Sequence, residues 1–269
     1  MFRKIVGLCT VFILVFTGCG AASREVAGSK AAQEEQSAAV ISVPDEVNGI
    51  AVNESTAVVT DMVVDVFSEP NVRSQRITQV IYNQAVSILS EEGSWIRIAA
   101  ADGGIGWVRS KFIDRNISSI NGRSYTHRII ITGKEKSIFS DPSGGITVKN
   151  AVMGTVFYAF NNSGTAYEVY LPDNMTGWLR GSGIIHVGLD AGVPMTSGED
   201  FAASALKLKG TSYLLNGLSA MGMDSPGMIY ICSKINGLNL PRDLKGQIHE
   251  LRRRNQSGQY CCRRYCVSW

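Results

Sequence analysis

Apolar positions recur with period two through much of the middle of the chain. Ala85-Val86-Ser87-Ile88-Leu89, Trp95-Ile96-Arg97-Ile98, Val156-Phe157-Tyr158 and Tyr167-Glu168-Val169-Tyr170 are short apolar-alternating segments. Each has the length of a strand with one face turned to a core. Turn clusters separate them at Glu92-Gly93-Ser94, Asp102-Gly103-Gly104, Asn161-Asn162-Ser163-Gly164 and Pro172-Asp173-Asn174. Short strands at regular spacing with glycine turns predict small antiparallel barrels. The period lengthens to a helical one after residue 196. Ser197 opens a helix with Asp200 at the capping-box position, although Glu or Gln is commoner there. Phe201, Ala205 and Leu208 share one face, Lys207 and Lys209 fall in the last turn, and Gly210 is the stop. A second helix carries Met228, Ile231, Cys232 and Ile235 on a buried face and ends at Asn236-Gly237.

The front of the chain has neither period. Arg3 and Lys4 precede an apolar run over residues 5–16. That run is too short for a bilayer, which needs about 20 residues, and it reads as the h-region of a secretory signal. Residues 20–43 are rich in Ala, Ser, Glu, Gln and Gly and read as a flexible tether.

The middle also repeats itself. Val66-Phe67-Ser68-Glu69-Pro70 recurs as Ile138-Phe139-Ser140-Asp141-Pro142, and Gly106-Trp107-Val108-Arg109-Ser110 as Gly177-Trp178-Leu179-Arg180-Gly181. Both offsets are about 72 residues, so the two signals mark one duplication. Trp107 and Trp178 are expected in the core, closing each barrel. Trp95 and Tyr82 are candidates for a groove, with core packing the expected role.

Composition narrows the function. With 269 residues, 45% of them apolar and 18% charged, the chain has room for more than one packed domain and is not disordered throughout. A formal charge of +3 does not argue for a nucleic-acid partner. The residues from 251 onward carry five arginines and no acid, so the part before them is mildly acidic. Six cysteines in an exported chain would ordinarily mean three disulfides. Here Cys9 lies in the signal, Cys19 directly follows it and three others fall in the last nine residues, which leaves Cys232 as a core thiol without a mate.

Three resemblances then emerge. Phe16-Thr17-Gly18-Cys19 resembles a bacterial lipobox, with Phe16 where Leu, Val or Ile is usual. That implies lipidation of Cys19 and a membrane anchor; the alternative is an ordinary signal peptide with Cys19 a bystander. Each barrel resembles the bacterial SH3-like domain, through the Ser-x-Pro turn, the Trp-x-Arg-Ile strand of the first unit and the late Gly-Trp strand. Such domains help bind or orient peptidoglycan. Finally, Gly210-Thr211-Ser212-Tyr213, Gly222-Met223-Asp224-Ser225-Pro226-Gly227-Met228-Ile229-Tyr230 and Asn239-Leu240-Pro241-Arg242-Asp243 with Gln247 resemble, in order and spacing, the NlpC-type cell-wall cysteine peptidases. The resemblance covers about residues 200–247. It implies a papain-like fold that cuts stem peptides between D-glutamate and a diamino acid by Cys-His chemistry, with no cofactor. It also implies substrate contacts at Asp224, Tyr213 and Arg242.

The pattern is broken where the chemistry should be. The nucleophile position holds Ser225, read here as a helix N-cap followed by Pro226 at N1. A helix N-terminus favours a thiolate by only about 0.3–1 kcal/mol and cannot ionise an alcohol. The histidine expected on a strand well downstream is not found. His249 follows too closely, His186 precedes the nucleophile segment and is read as the end of the second barrel, and His127 opens that barrel. Leu215-Asn216-Gly217 stands where Trp-Gly-Gly is usual, and Ser212 where proline is. Loss and recovery of one base would turn Cys-Ser-Gly codons into Ser-Pro-Gly, and an unrepaired shift would account for a tail with Arg252-Arg253-Arg254 and Cys261-Cys262-Arg263-Arg264-Tyr265-Cys266. Cys-Cys-x-x-x-Cys lacks the paired spacing of structural zinc sites, so no metal is expected.

The expected architecture is mainly β, two SH3-like barrels, plus the N-terminal part of an α+β papain-like domain. The expected boundaries are a lipoprotein signal over 1–18, a tether over 19–56, barrels over 57–117 and 123–188, a partial peptidase domain over 196–250 and an aberrant tail over 251–269. Two functions follow. One is an envelope peptidase of stem peptides; the other is a catalytically silent lipoprotein that binds cell-wall fragments. In both, the helix after Ser225 is expected to expose an apolar patch, because most of the sheet it should pack on is missing.

Overall fold

A computed structural model describes residues 46–47, 50–121 and 124–256. The signal, Cys19 and the last thirteen residues lie outside the described residues, and the described ones fall in one compact unit. No helix among them is long and apolar enough to cross a membrane.

A short hairpin of β1 (Glu46–Val47) and β2 (Ile50–Ala51) comes first. The tether expected as far as residue 56 therefore stops earlier. Ile50 is buried beside Val58, Ala85, Tyr125 and Tyr158, so this stretch is already part of the core. The first seven-stranded sheet contains β3 (Thr56–Val59), β4 (Val63–Phe67), β5 (Arg76–Ile81), β6 (Ala85–Glu92), β7 (Trp95–Ala100), β8 (Ile105–Arg109) and β9 (Ile113–Asp114). The second contains β10 (His127–Ile131), β11 (Glu135–Asp141), β12 (Gly144–Val152), β13 (Val156–Ser163), β14 (Ala166–Tyr170), β15 (Thr176–Leu179) and β16 (Ile184–Gly188).

The strand orders are β5-β4-β8-β7-β6-β3-β9 and β12-β11-β15-β14-β13-β10-β16. Shifting the first by seven strands gives the second, so the sequence repeat is a repeat of topology, antiparallel throughout. Its two motifs meet in space. Phe67 pairs with Trp107, and Phe139 with Trp178, each beside a register shift in the first strand. The glycine before each tryptophan lets the strands approach. A Cβ on Gly106 would lie 2.4 Å from the Phe67 carbonyl oxygen, and one on Gly177 would lie 2.5 Å from Ile138. The tryptophans themselves depart from expectation. Period two turns Val108 and Leu179 into the cores, and Trp107 and Trp178 sit half-buried on the opposite face. Trp95 is buried too, edge-on to Phe67 with the Arg109 guanidinium 4.2 Å above its ring, but on the strand face opposite the core residues Ile96 and Ile98.

The barrels are pinned by one turn. Tyr82, just after β5, is 1% exposed and meets Phe157 edge-on at 5.8 Å within the second barrel's core. Asn83, next in sequence, donates to the Val156 carbonyl at 3.0 Å.

The C-terminal part has α1 (Gly198–Lys207), a minimal hairpin of β17 (Leu218–Ser219) and β18 (Gly222–Met223), then α2 (Ser225–Ile235) and α3 (Leu244–Gln256). The capping box on α1 forms as the pattern predicts, with Ser197 and Asp200 each accepting from the other's backbone N–H. The patch expected under α2 is not exposed. Ile231, Cys232 and Ile235 pack with Ile130, Met153 and Val187, so the outer face of the second barrel supplies the cover. Asn236 ties α2 to α1 by donating to Ser204 at 3.0 Å and accepting from Thr196 at 2.6 Å. The tail also differs at its start, because α3 runs through residues 251–256. Glu250 holds Arg253 and Arg254, and their hydrogen bonds bring its carboxyl down to about 2. Exposed apolar residues lie instead at Leu206, Leu215 and Met221 and, on α3, at Leu244, Ile248 and Leu251.

Burial of Ile231 at 3% exposure makes it a direct probe of this docking. Ile231→Ala should cost about 2–5 kcal/mol in urea unfolding, whereas a helix resting loosely on the barrel would lose only tenths.

Candidate functional site

The site is the N-terminus of α2, and Asp224 organises it. The N-cap is one residue earlier than expected: Asp224 is extended and its Oδ1 accepts from the Gly227 N–H at 2.8 Å, so Ser225 and Pro226 are the first helical residues. An aspartate caps as well as a serine, and Pro226 lacks the N–H that the first turn leaves unsatisfied. Asp224 Oδ2 accepts from the Asn216 N–H at 3.0 Å. Arg242 Nη2 pairs with Oδ1 at 2.9 Å and also donates to the Gly217 carbonyl at 2.9 Å. The two side chains are 8% and 11% exposed. One carboxylate thus joins three segments: the loop before β17, the start of α2 and the loop before α3.

Ser225 is exposed, and no side-chain hydrogen bond to it is found among the described residues. Tyr213 is 74% exposed, and its backbone forms an isolated bridge with Met223. The geometry therefore gathers Asp224, Ser225 and Arg242 but leaves Tyr213 at the rim. Cys232, two turns along α2, is fully buried, and burial pushes its thiol up to about 11. A thiol so shielded is no substitute nucleophile. The histidines lie elsewhere. His249 is exposed on α3, while His127 and His186 are on β10 and β16, and none is hydrogen-bonded to Ser225.

Three residues of the site carry no signal in the pattern of periods. Gln247 is 2% exposed and donates to the carbonyls of Pro226 and Pro241, each at 2.9 Å, which fastens α3 to the first turn of α2. Gln79 comes from the first barrel. It accepts from the Leu218 N–H at 2.8 Å and donates to Asp65 at 2.9 Å. Asn216 donates to the Arg76 carbonyl at 2.7 Å. Gln247 was singled out by the Leu-Pro-Arg motif rather than by any period, and Gln79 stands out only as a polar residue in an otherwise apolar end of β5. Through these contacts the first barrel reaches the back of the loop that presents Asp224. Beside it lies a groove of about 400 Å³ lined by Asp65, Phe67, Gln79, Arg109, Phe112 and Met221.

Asp65 is the charged member of this docking network. Burial pushes its carboxyl up, but hydrogen bonds from Arg76 and Gln79 and the charge of Arg76 outweigh that and hold it below the usual carboxylate range. Its contribution to stability is therefore complete above the unfolded-state value and is lost as pH falls through the folded one. Asp65→Asn should flatten the acid limb of a stability–pH profile and leave the profile parallel to wild type above neutrality. Arg242→Met should cost about 3–5 kcal/mol in urea unfolding by stranding a buried carboxylate. The double variant with Asp224→Asn should recover part of that loss.

Comparison with known proteins follows the same division. Residues 63–114 match the bacterial SH3 domain family. Over 174 residues the chain is 22% identical to a gamma-D-glutamyl-L-lysine dipeptidyl-peptidase of Bacillus cereus, with 62% of this chain and 52% of that protein covered. The chain thus spans about half the length of that curated relative. Among solved structures it resembles a NlpC/P60 family protein from Bacillus cereus, with a TM-score of 0.65, 17% identity, and 72% of this chain and 76% of that one covered. It also resembles a NlpC/P60 endopeptidase from Photobacterium damselae subsp. piscicida, with a TM-score of 0.51, 14% identity, and 72% and 46% covered. The fold of this chain, two antiparallel seven-stranded sheets with a small helical part, is one found in NlpC/P60 structures.

Proposed function

We propose that this chain is an envelope lipoprotein built on the scaffold of the NlpC-type cell-wall hydrolases. It engages peptidoglycan stem peptides, and with Ser225 at the nucleophile position it does not turn them over. The observation that carries this reading is the first turn of α2. A capped and braced helix N-terminus presents an exposed side chain, and that side chain is an alcohol with no side-chain hydrogen bond among the described residues.

The chemistry of an intact site is nucleophilic. A cysteine thiolate attacks the carbonyl of the γ-glutamyl amide, and a histidine returns a proton to the leaving amine. The helix N-terminus suits a thiolate, whose proton is lost near neutrality once a positive field is near. A hydroxyl keeps its proton unless a base takes it during attack. None of the three histidines is hydrogen-bonded to Ser225, so no base is in place for that transfer. The geometry around it nonetheless supports a binding role. Asp224 holds the helix start, and the first barrel adds a groove with aromatic walls and both signs of charge at Asp65 and Arg109. A stem peptide carries amines, carboxylates and short apolar side chains, which suits such a surface. Similarity to the dipeptidyl-peptidase and the bacterial SH3 match support the same class of ligand. Lipidation at Cys19, followed by the tether, would hold this surface near the membrane.

Incubation of purified protein with a γ-D-glutamyl-diamino acid stem peptide should yield no dipeptide by mass spectrometry, while calorimetry detects saturable binding. Ser225→Cys alone should remain inactive, because it supplies no base. Dipeptide release by the unaltered protein would overturn the proposal of silence; absence of binding would overturn the proposed ligand.

A further inference from the structure

The mouth of the second barrel carries a cluster that the α2 site does not use. His127 lies on β10, His186 on β16 and Tyr167 on β14. In the ladder His127 is opposite Ala159, His186 opposite Ile129 and Tyr167 opposite Leu179. All three partners are core residues of this barrel. Cross-strand partners share a face, so the three rings point to the barrel's interior side, where Tyr167 packs against the core cluster. His186 is exposed and the other two are half-buried.

The rings touch one another. The two imidazole centroids are 5.8 Å apart and nearly perpendicular, at 85°. Tyr167 is 5.4 Å from His186 and 6.3 Å from His127. Its hydroxyl lies 3.1 Å from His186 Nδ1. Neither histidine forms an ion pair with a carboxylate among the described residues.

We propose that His127 and His186 form a binding site for a divalent transition-metal ion such as Zn²⁺ or Cu²⁺, with Tyr167 orienting His186 and water completing the coordination. Imidazole is the side chain these ions favour. A nitrogen–zinc bond of about 2.0–2.1 Å puts a ring centroid about 3.2 Å from the ion, so two rings on a tetrahedral ion stand about 5.3 Å apart. The observed spacing is within half an ångström of that. The Tyr167 contact accommodates the needed tautomer: with Nδ1–H donating to the phenol oxygen, Nε2 keeps its lone pair for the ion, the arrangement that outer partners of metal-bound histidines usually impose. Among the described residues no three His, Cys, Asp or Glu side chains converge, so the ion is open to solvent on its remaining positions. The mouth of a β-barrel is a common place for a small ligand.

The test titrates Zn²⁺ into the full chain by calorimetry, with its cysteines alkylated so that Cys261, Cys262 and Cys266 cannot compete. One ion per chain should bind. His127→Ala and His186→Ala should each weaken binding by about tenfold or more, and Tyr167→Phe by a smaller factor, at most about tenfold. Circular dichroism of each variant should match the unaltered protein. Independently of any variant, electron paramagnetic resonance of the Cu²⁺-loaded chain should show hyperfine coupling from two imidazole nitrogens. Absence of binding, binding that survives His127→Ala with His186→Ala, or a Cu²⁺ spectrum with one or no nitrogen would overturn the proposal.

Discussion

The buried pair of Asp224 and Arg242 is the contact on which the C-terminal part depends. A carboxylate at 8% exposure is costly unless it is paired and hydrogen-bonded, and here it has three partners at the positive end of α2: the Gly227 and Asn216 backbone N–H groups and the Arg242 guanidinium. Removing any one would loosen the loop before β17, the helix or the loop before α3, because all three meet there. The same acid that the resemblance assigns to substrate is thus the chief structural tie of the site. Substrate contact and structural support are not exclusive, but the second is visible in the hydrogen bonds themselves.

Around this tie the two barrels act as a wall. The second barrel covers α2 with Ile130, Met153 and Val187, and the first reaches the Asp224 loop with Gln79 and Arg76. Tyr82 locks the barrels to each other by entering the second core. A small cavity of about 90 Å³ remains where the three parts meet, lined by Ile81, Tyr82, Gly154, Leu218, Tyr230 and Ile231 among others. The helical segment accordingly does not stand as a fragment on its own core. It borrows apolar cover from β-strands whose outer faces are themselves apolar.

That last point explains which features were legible in the sequence. Period two and the turn clusters fix the strands, and the duplicated Phe-Ser-x-Pro and Gly-Trp motifs fix the shared topology, because local sterics at Gly106 and Gly177 dictate where the strands cross. The capping box of α1 is equally local. What periodicity could not reveal is which second surface an apolar face meets. Ile130, Val187 and Ile185 look like ordinary alternation within a barrel, yet they are the floor beneath α2. Trp107 and Trp178 were expected inside for their size, whereas the strict alternation set by Val108 and Leu179 keeps them half out. At the site, Asp224 and Ser225 are readable as a helix start. Gln247 is readable only from its motif, and the contacts of Gln79 and Asn216 are not readable, since each acts across about 140 residues through a single side-chain amide.

The central claim is that α2 and the two barrels form one cooperative unit, held by the Asp224 tie and the apolar cover. Native-state hydrogen exchange of the intact chain tests it most directly. Amides of α2 should exchange in the same slow class as those of β10 and β13, with one common free energy of opening. Fast exchange throughout α2, with the barrel strands still protected, would contradict the account.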